Sequence, residues 1–241
     1  MLNIATPQKP TDQALRQDGL SLLLPANFTA SLELSTPQWT SGWNGLVDSW
    51  NRLPPDAHLK DGGRYRRRRH ANFLALPGAA PRRGLHRPHF QASAHNSLNG
   101  GVDRWFAPVE DGVGGGAAGA ALLAFGATAL PEGTGWFIEM HQFRIEAEAG
   151  QPGYPTPEGV HHDGVDFVLI SMIGRTNQTG GETLVTGNDG AGLARFTLDG
   201  LLDTAFLDDA RTMHGVTPIE PTDPGRPSRR DVLVITWKRL S

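Results

Sequence analysis

Three side chains, His161, Asp163 and His214, have the types and spacing of a transition-metal site. The first two lie in Pro157-Glu-Gly-Val-His-His-Asp-Gly-Val-Asp-Phe-Val-Leu-Ile170, an HxD pair opening an apolar, β-branched run, and His214 follows about fifty residues on. On a strand, residues i and i+2 project to one face, so His161 and Asp163 can turn inward together while His162 turns away. Two imidazoles and one carboxylate on one face of Fe(II) leave the opposite positions open for a co-substrate and O2. A structural metal would instead be closed off by protein ligands. Two neighbours compete for these roles: His162 could ligate with Asp163 in another geometry, and Glu158 could replace Asp163.

Composition narrows the classes. The chain has 241 residues, 38% of them hydrophobic, enough for one large domain or two small ones. A formal charge of −3 predicts no dedicated polyanion partner, and nucleic acid is not expected. Thirty Gly and 18 Pro suit short strands and many turns. With no cysteine, disulfides, Cys-ligated zinc, iron–sulfur clusters and thiol nucleophiles are excluded. The N-terminus lacks the basic and apolar regions of a signal peptide, and the longest apolar stretch, Ala117 to Leu130, is too short to span a bilayer. The expected compartment is the cytoplasm, without membrane association.

The elements that must position these residues change in character along the chain. Residues 1–60 read as a helical flank: Thr11-Asp-Gln-Ala-Leu-Arg16 resembles a capped start, and Gln38 to Leu53 carries Trp39, Trp43 and Trp50 at loose helical spacing, as core against a sheet. The basic run Arg64 to His70 suits a solvated strand edge or the entrance for an anionic substrate. Residues 61–241 read as the β core of a single domain. Trp136 to Ile145 alternates, Phe167 to Ile173 is a buried strand, and Gly180-Gly181 is a hairpin turn into the strand ending at Val185. Gly192 to Leu198, Gly215 to Ile219 and Asp231 to Trp237 complete the set. Such density of short strands argues for a sandwich or jelly roll, whose strand mouths can hold a metal and a small ligand.

An oxygenase using a diacid co-substrate also needs a cation for the distal carboxylate, and arginine is the best such group. Arg229 and Arg230 precede the last strand. If Met213–Ile219 pairs with Arg230–Trp237 around the Pro-rich turn, Arg230 falls opposite about residue 218, roughly 13 Å along the sheet from His214 and within reach of an extended Arg plus a five-carbon diacid. Arg230 shares a face with Val232 and Val234, and Arg229 shares one with Asp231, so Arg230 is expected inward with Arg229 as the alternative.

Val160-His-His-Asp-Gly-Val165, Gly180-Gly-Glu-Thr183, Met213-His-Gly-Val-Thr-Pro-Ile219 and Arg230-Asp-Val-Leu-Val-Ile-Thr236 resemble the bacterial 2OG-Fe dioxygenase family. That family includes free L-isoleucine dioxygenases and BsmA-like proteins associated with biofilm stress. Arg66 to Phe73, Gln91 to Asn96, Gly100 to Pro108 and His141 to Ile145 resemble its N-terminal half, so the likeness covers roughly residues 60 to 239. It implies a double-stranded β-helix (jelly roll, cupin-like) with flanking N-terminal helices. It further implies His161, Asp163 and His214 as Fe(II) ligands, Arg230 for 2-oxoglutarate, and O2 as oxidant. The implied reaction is hydroxylation of an unactivated C–H in a free amino acid or similar small molecule, with release of succinate and CO2; a homo-oligomer is possible. Both ligating imidazoles must be neutral, so metal affinity should fall at acid pH. For an amino-acid carboxylate the candidates are Arg104, Arg144 and the Arg66–Arg69 run, and for its ammonium Glu139 and Glu146; Gln91 and Gln142 are candidate polar pocket residues.

Three other readings compete. A non-catalytic β-helix stress protein with a relic pocket should have lost a ligand. A cupin-type isomerase or hydrolase needs no diacid clamp. A hydroxylase of protein side chains should carry a peptide-binding extension, and none is evident.

Overall fold

Alternation along two long strands divides the protein into a packed face and a cavity face. β4 (Trp136–Ala147) and β12 (Ser228–Arg239) pair antiparallel, with Met140 opposite Ile235 and His141 opposite Val234. Trp136, Ile138 and Met140 of β4 and Leu233, Ile235 and Trp237 of β12 share the packed face and are buried, several completely. The intervening residues Glu139, His141, Phe143, Val232, Val234 and Thr236 line a cavity. Period-two alternation sends one set to each side.

The computed structural model describes residues 9–24, 37–96 and 98–240. β4 and β12 lie in a seven-stranded sheet ordered β1-β9-β5-β12-β4-β2-β3, where β1 is Leu20–Leu23, β2 Arg66–Ala75, β3 Arg82–Arg83, β5 Phe167–Thr176 and β9 Thr204–Asp208. Facing it is a three-stranded sheet, β10 (Thr212–Val216), β7 (Glu182–Gly187) and β8 (Gly192–Thr197), with a short ribbon of β11 (Ile219–Pro221) and β6 (Gln178–Gly180). Val168, Ile170, Met172 and Val232 of the large sheet pack with Val185 of the small one and with Leu198, just past the end of β8. The result is a mainly β, antiparallel double-stranded β-helix.

The outer face of the large sheet is covered by α2 (Pro37–Asp48), a 3-10 turn (Ser49–Arg52) and α4 (Ala117–Ala129); α1 (Thr11–Asp18) and α3 (Asp111–Gly114) complete the helices of the described residues. α4 is rich in Ala and Gly because it passes close to β12. A Cβ on Gly126 would lie 2.0 Å from Cζ2 of Trp237, whose side chain is fully buried. Trp50 is buried and donates from Nε1 to the carbonyl of Phe143, tying the flank to β4, and Trp43 packs on the same core. The side chain of Trp39 lies outside the described residues.

Several expectations are corrected. The N-terminal flank is not wholly helical, since β1 extends the sheet through β9. Thr11 is inside α1 and Pro10 holds the cap position, without a side-chain cap. Gly180-Gly181 is no hairpin turn: β6 pairs with β11 and β7 with β10, so both strands of one ribbon break here and pass between sheets. Both glycines have positive φ, and a Cβ on Gly180 would meet the Pro218 carbonyl at 2.0 Å. β10 does not pair with β12 either; its partner is β7, and β12 lies between β4 and β5. The register argument that set Arg230 opposite residue 218 therefore fails, although β12 does alternate with Arg230 inward and Arg229 exposed.

Candidate metal centre

His161 and Asp163 are not on a strand, as β5 begins only at Phe167. His161 is held by one isolated antiparallel bridge to His214, in which each backbone N–H donates to the other's carbonyl, at 2.9 and 3.0 Å. Asp163 is placed by Asp209, whose buried carboxylate accepts the backbone N–H groups of Asp163 (3.0 Å), Gly164 (2.8 Å) and Val165 (3.1 Å). Burial, and then the charge of Asp163, raise the pKa of Asp209 to about 6. Nothing in the sequence singles out Asp209 except its place in the Asp208-Asp209 pair.

One ligand atom from each of His161, Asp163 and His214 lies within 4.8 Å of the others. His161 Nε2 is 3.6 Å from Asp163 Oδ1, and His214 Nε2 is 3.7 Å from Asp163 Oδ2. These separations are too long for hydrogen bonds. Ligand atoms each about 2.1 Å from one centre lie about 3 to 3.6 Å apart, so the trio is at the open end of what a single ion would gather. His161 Nδ1 is engaged with the Gly159 carbonyl at 2.9 Å, which directs Nε2 inward, whereas His214 Nδ1 is buried without a partner among the described residues. Burial lowers the pKa of His214 to about 4 and keeps it neutral. Burial also opposes charge on His161, but its contact with Asp163 prevails and raises it to about 9. Asp163 is held well below the usual carboxylate range: burial opposes ionisation, and the two histidines outweigh it.

Of the two competing ligands, His162 is turned away and Glu158 lies beside the group. His162 turns its Nδ1 to the Asp209 carbonyl at 2.6 Å. Glu158 Oε1 is 3.5 Å from His161 Nε2, beside the three-residue group but not among its members.

The centre opens into a cavity of about 470 Å³, within the range of small-molecule sites. Arg230 is at one end, 2% exposed, with Nε and Nη2 unpartnered among the described residues. Burial lowers its pKa to about 10. Gln91 also lines the cavity; its Nε2 donates to the Asp163 carbonyl (3.2 Å), and its Oε1 accepts from Asn96 (3.0 Å). Gln142 faces the other way and donates to Ser49 Oγ at 2.6 Å under the helices. Arg144 is likewise turned away and clamps Asp231 with two 2.7 Å bonds, while Arg67 pairs with Glu146. Of the basic run, Arg66 and Arg68 reach the cavity.

Sequence reasoning missed a second polar cluster on the same wall. His70, His89, Glu139 and His141 also bring ligand-type atoms within 4.8 Å. His70 and His141 are cross-strand partners in the β2–β4 register. Polar residues occupy both faces of β2 and β4, so alternation alone did not reveal which face was the cavity.

A model of the 2OG-Fe dioxygenase family matches residues 47–236. The chain belongs to this family. Fe(II), 2-oxoglutarate and O2 are the family's cofactor set, and the two imidazoles, the carboxylate and the unpartnered Arg230 suit an iron ion and a diacid. A solved structure similar to this one is that of a bsmA homologue from Methylobium petroleophilum PM1, with a TM-score of 0.82 and 39% identity over 95% of this chain and 91% of that one. The IDO of Bacillus thuringiensis has a TM-score of 0.79 at 16% identity, covering 96% of this chain and 98% of that one, and so shares the fold. The 3(1)-hydroxy-L-isoleucine 4-dioxygenase of Pantoea ananatis (strain AJ13355) is 30% identical over 103 residues, 42% of this chain. The match spans 41% of that relative's length. No helix of the described residues is long and apolar enough to cross a membrane.

Proposed function

We propose that this protein is an Fe(II)/2-oxoglutarate-dependent dioxygenase that hydroxylates a free amino acid or similar small molecule and releases succinate and CO2. His161, Asp163 and His214 hold the iron, and Arg230 takes the distal carboxylate of 2-oxoglutarate. The observation that carries this reading is the shared cavity: a three-ligand group with open sides and a buried, unpartnered guanidinium line the same space. Such a guanidinium is costly to bury and is stabilised when an anion arrives. Bound iron supplies the oxidative chemistry, while the protein supplies ligation, orientation and exclusion of water. Val232, Val234 and Ile170 give the cavity wall apolar surface on which an aliphatic side chain can rest.

The small cavity favours a free small molecule over a protein side chain, and the part-length relation to a hydroxyisoleucine dioxygenase supports an amino acid. The test is succinate release from 2-oxoglutarate with Fe(II), with and without a panel of free L-amino acids. Stimulation by at least one amino acid, with that amino acid gaining one oxygen, is the expected result. No succinate above a chelated control would overturn the proposal.

A further inference from the structure

The cavity wall carries more fixed charge than an iron ion and 2-oxoglutarate require. Cross-strand register arranges the wall in rows: Arg230, Ile145 and Arg66; then Val232, Phe143 and Arg68; then Val234, His141 and His70; then Thr236, Glu139 and Asn72. Successive rows are about 7 Å apart. Arg230 thus begins the series and Glu139 lies three rows on, ahead of a last row of Lys238 and Phe137, so the groups beyond Arg230 are left for another ligand.

We propose that Arg68 and Arg104 hold the carboxylate of the substrate and that Glu139, fixed by His70 and His89, holds its ammonium group. This assignment rests on the reading of the cavity as the site of a small-molecule dioxygenase.

The geometry separates these residues from the other candidates. Arg66 is neutralised by Asp56 at 2.7 Å, Arg144 by Asp231 and Arg67 by Glu146. Arg68 and Arg104 are 4% and 2% exposed and make no ion pair among the described residues. The Arg68 guanidinium lies between the rings of Phe106 (3.9 Å) and Phe143 (4.5 Å), which fixes its plane. One Nη donates to His141 Nδ1 at 2.9 Å, and Nε has no partner among the described residues. Arg104 reaches Gln91 Oε1 at 3.4 Å and also keeps an unpartnered Nε. Two buried guanidiniums without an anion of their own make a seat for one.

Glu139 is the complement. Its Oε1 accepts from His70 Nε2 (2.8 Å) and His89 Nδ1 (3.0 Å), leaving Oε2 for a ligand. Both donors are neutral imidazoles, and burial lowers His89 to about 4. Burial opposes charge on Glu139, but the two donors override it, so the carboxylate keeps its charge. A second metal ion among His70, His89, Glu139 and His141 fits less well, because His141 Nδ1 is occupied by a guanidinium.

The experiment compares L-isoleucine and L-leucine with their amides and their des-amino acids. Binding is read by equilibrium dialysis and, separately, turnover is read by succinate release. Wild type should bind the amino acids roughly tenfold or more tighter than either analogue, since each analogue leaves a buried charge unpaired. Glu139→Gln keeps an oxygen for His70 and His89, and should weaken amino-acid binding by about tenfold or more while bringing the des-amino acid level with it. Arg104→Lys should erode discrimination against the amide instead.

Equal binding of all three ligand types by wild type, or unchanged discrimination in Glu139→Gln, overturns the seat. So does a second equivalent of Fe(II) bound by wild type and lost in Glu139→Gln. If discrimination is as expected but no succinate forms, the dioxygenase reading fails and the seat stands. If succinate forms without such discrimination, the reverse holds.

Discussion

His161 and His214 face each other across a single antiparallel bridge, each donating its backbone N–H to the other's carbonyl. The bridge brings the two rings to 4.9 Å between centroids. The centre is therefore preorganised by main-chain bonds, and changing either side chain leaves those bonds available.

Replacing His161 or His214 by Ala should accordingly abolish tight Fe(II) binding while leaving the fold intact. Iron stoichiometry after anaerobic loading, alongside a far-ultraviolet circular dichroism spectrum, checks both halves of the expectation. Stoichiometric iron in either variant would remove that residue from the site.

Asp209 places Asp163 through three backbone N–H groups without facing the metal position itself. Asp209→Ala frees those donors and lets the Asp163 segment move. Iron affinity should fall by roughly ten- to a hundredfold, in line with other outer-sphere partners. Competition with a chelator of known affinity measures this, and an unchanged affinity would show that Asp163 keeps its place without Asp209.

Arg230 is buried in the cavity, whereas Arg229 is exposed and reaches Thr176 Oγ1 only at 3.4 Å. Arg230→Ala should raise the KM for 2-oxoglutarate by at least about tenfold, a charge-assisted pair being lost, with much less effect on iron affinity. Arg229→Ala should leave both near wild type. If the two variants exchange these behaviours, the diacid lies elsewhere.

The helix over the large sheet supplies a stability test far from the chemistry. Alanine is the better helix former by about 1 kcal/mol, yet a Cβ on Gly126 would lie 2.0 Å from the fully buried Trp237 ring. Overpacking should win, with Gly126→Ala costing about 1 to 3 kcal/mol in urea unfolding. A stabilised variant would mean that α4 can lift off β12 at no cost.

Acid should destabilise the protein in two stages. Burial holds His89 at about 4 and lowers His70 and His141 as well, while the unfolded chain takes up these protons near 6.5. The unfolded state thus binds more protons as pH falls below 6.5, and each such group removes stability at up to about 1.4 kcal/mol per pH unit. Below about 4.5 the depressed Glu139 carboxylate adds a loss of the same sign. Urea unfolding of metal-free protein from pH 7 to 4 should show this slope, and His89→Gln should flatten it.

Side-chain chemistry and short-range periodicity were legible without coordinates. The HxD pair and the distal His214 stand out by residue type, and the inward phase of Arg230 follows from the two-residue repeat of its strand, whereas the strand expected under His161 and Asp163 is absent. Long-range register was not legible. That Gly180-Gly181 is a break between sheets, that β10 pairs with β7, and that Asp209 carries the Asp163 loop depend on contacts between distant segments. The pairing of charges was equally hidden: Arg66, Arg67, Arg68 and Arg69 look alike in sequence. Only tertiary structure, by supplying Asp56 to the first and Glu146 to the second, leaves Arg68 with an imidazole and no anion.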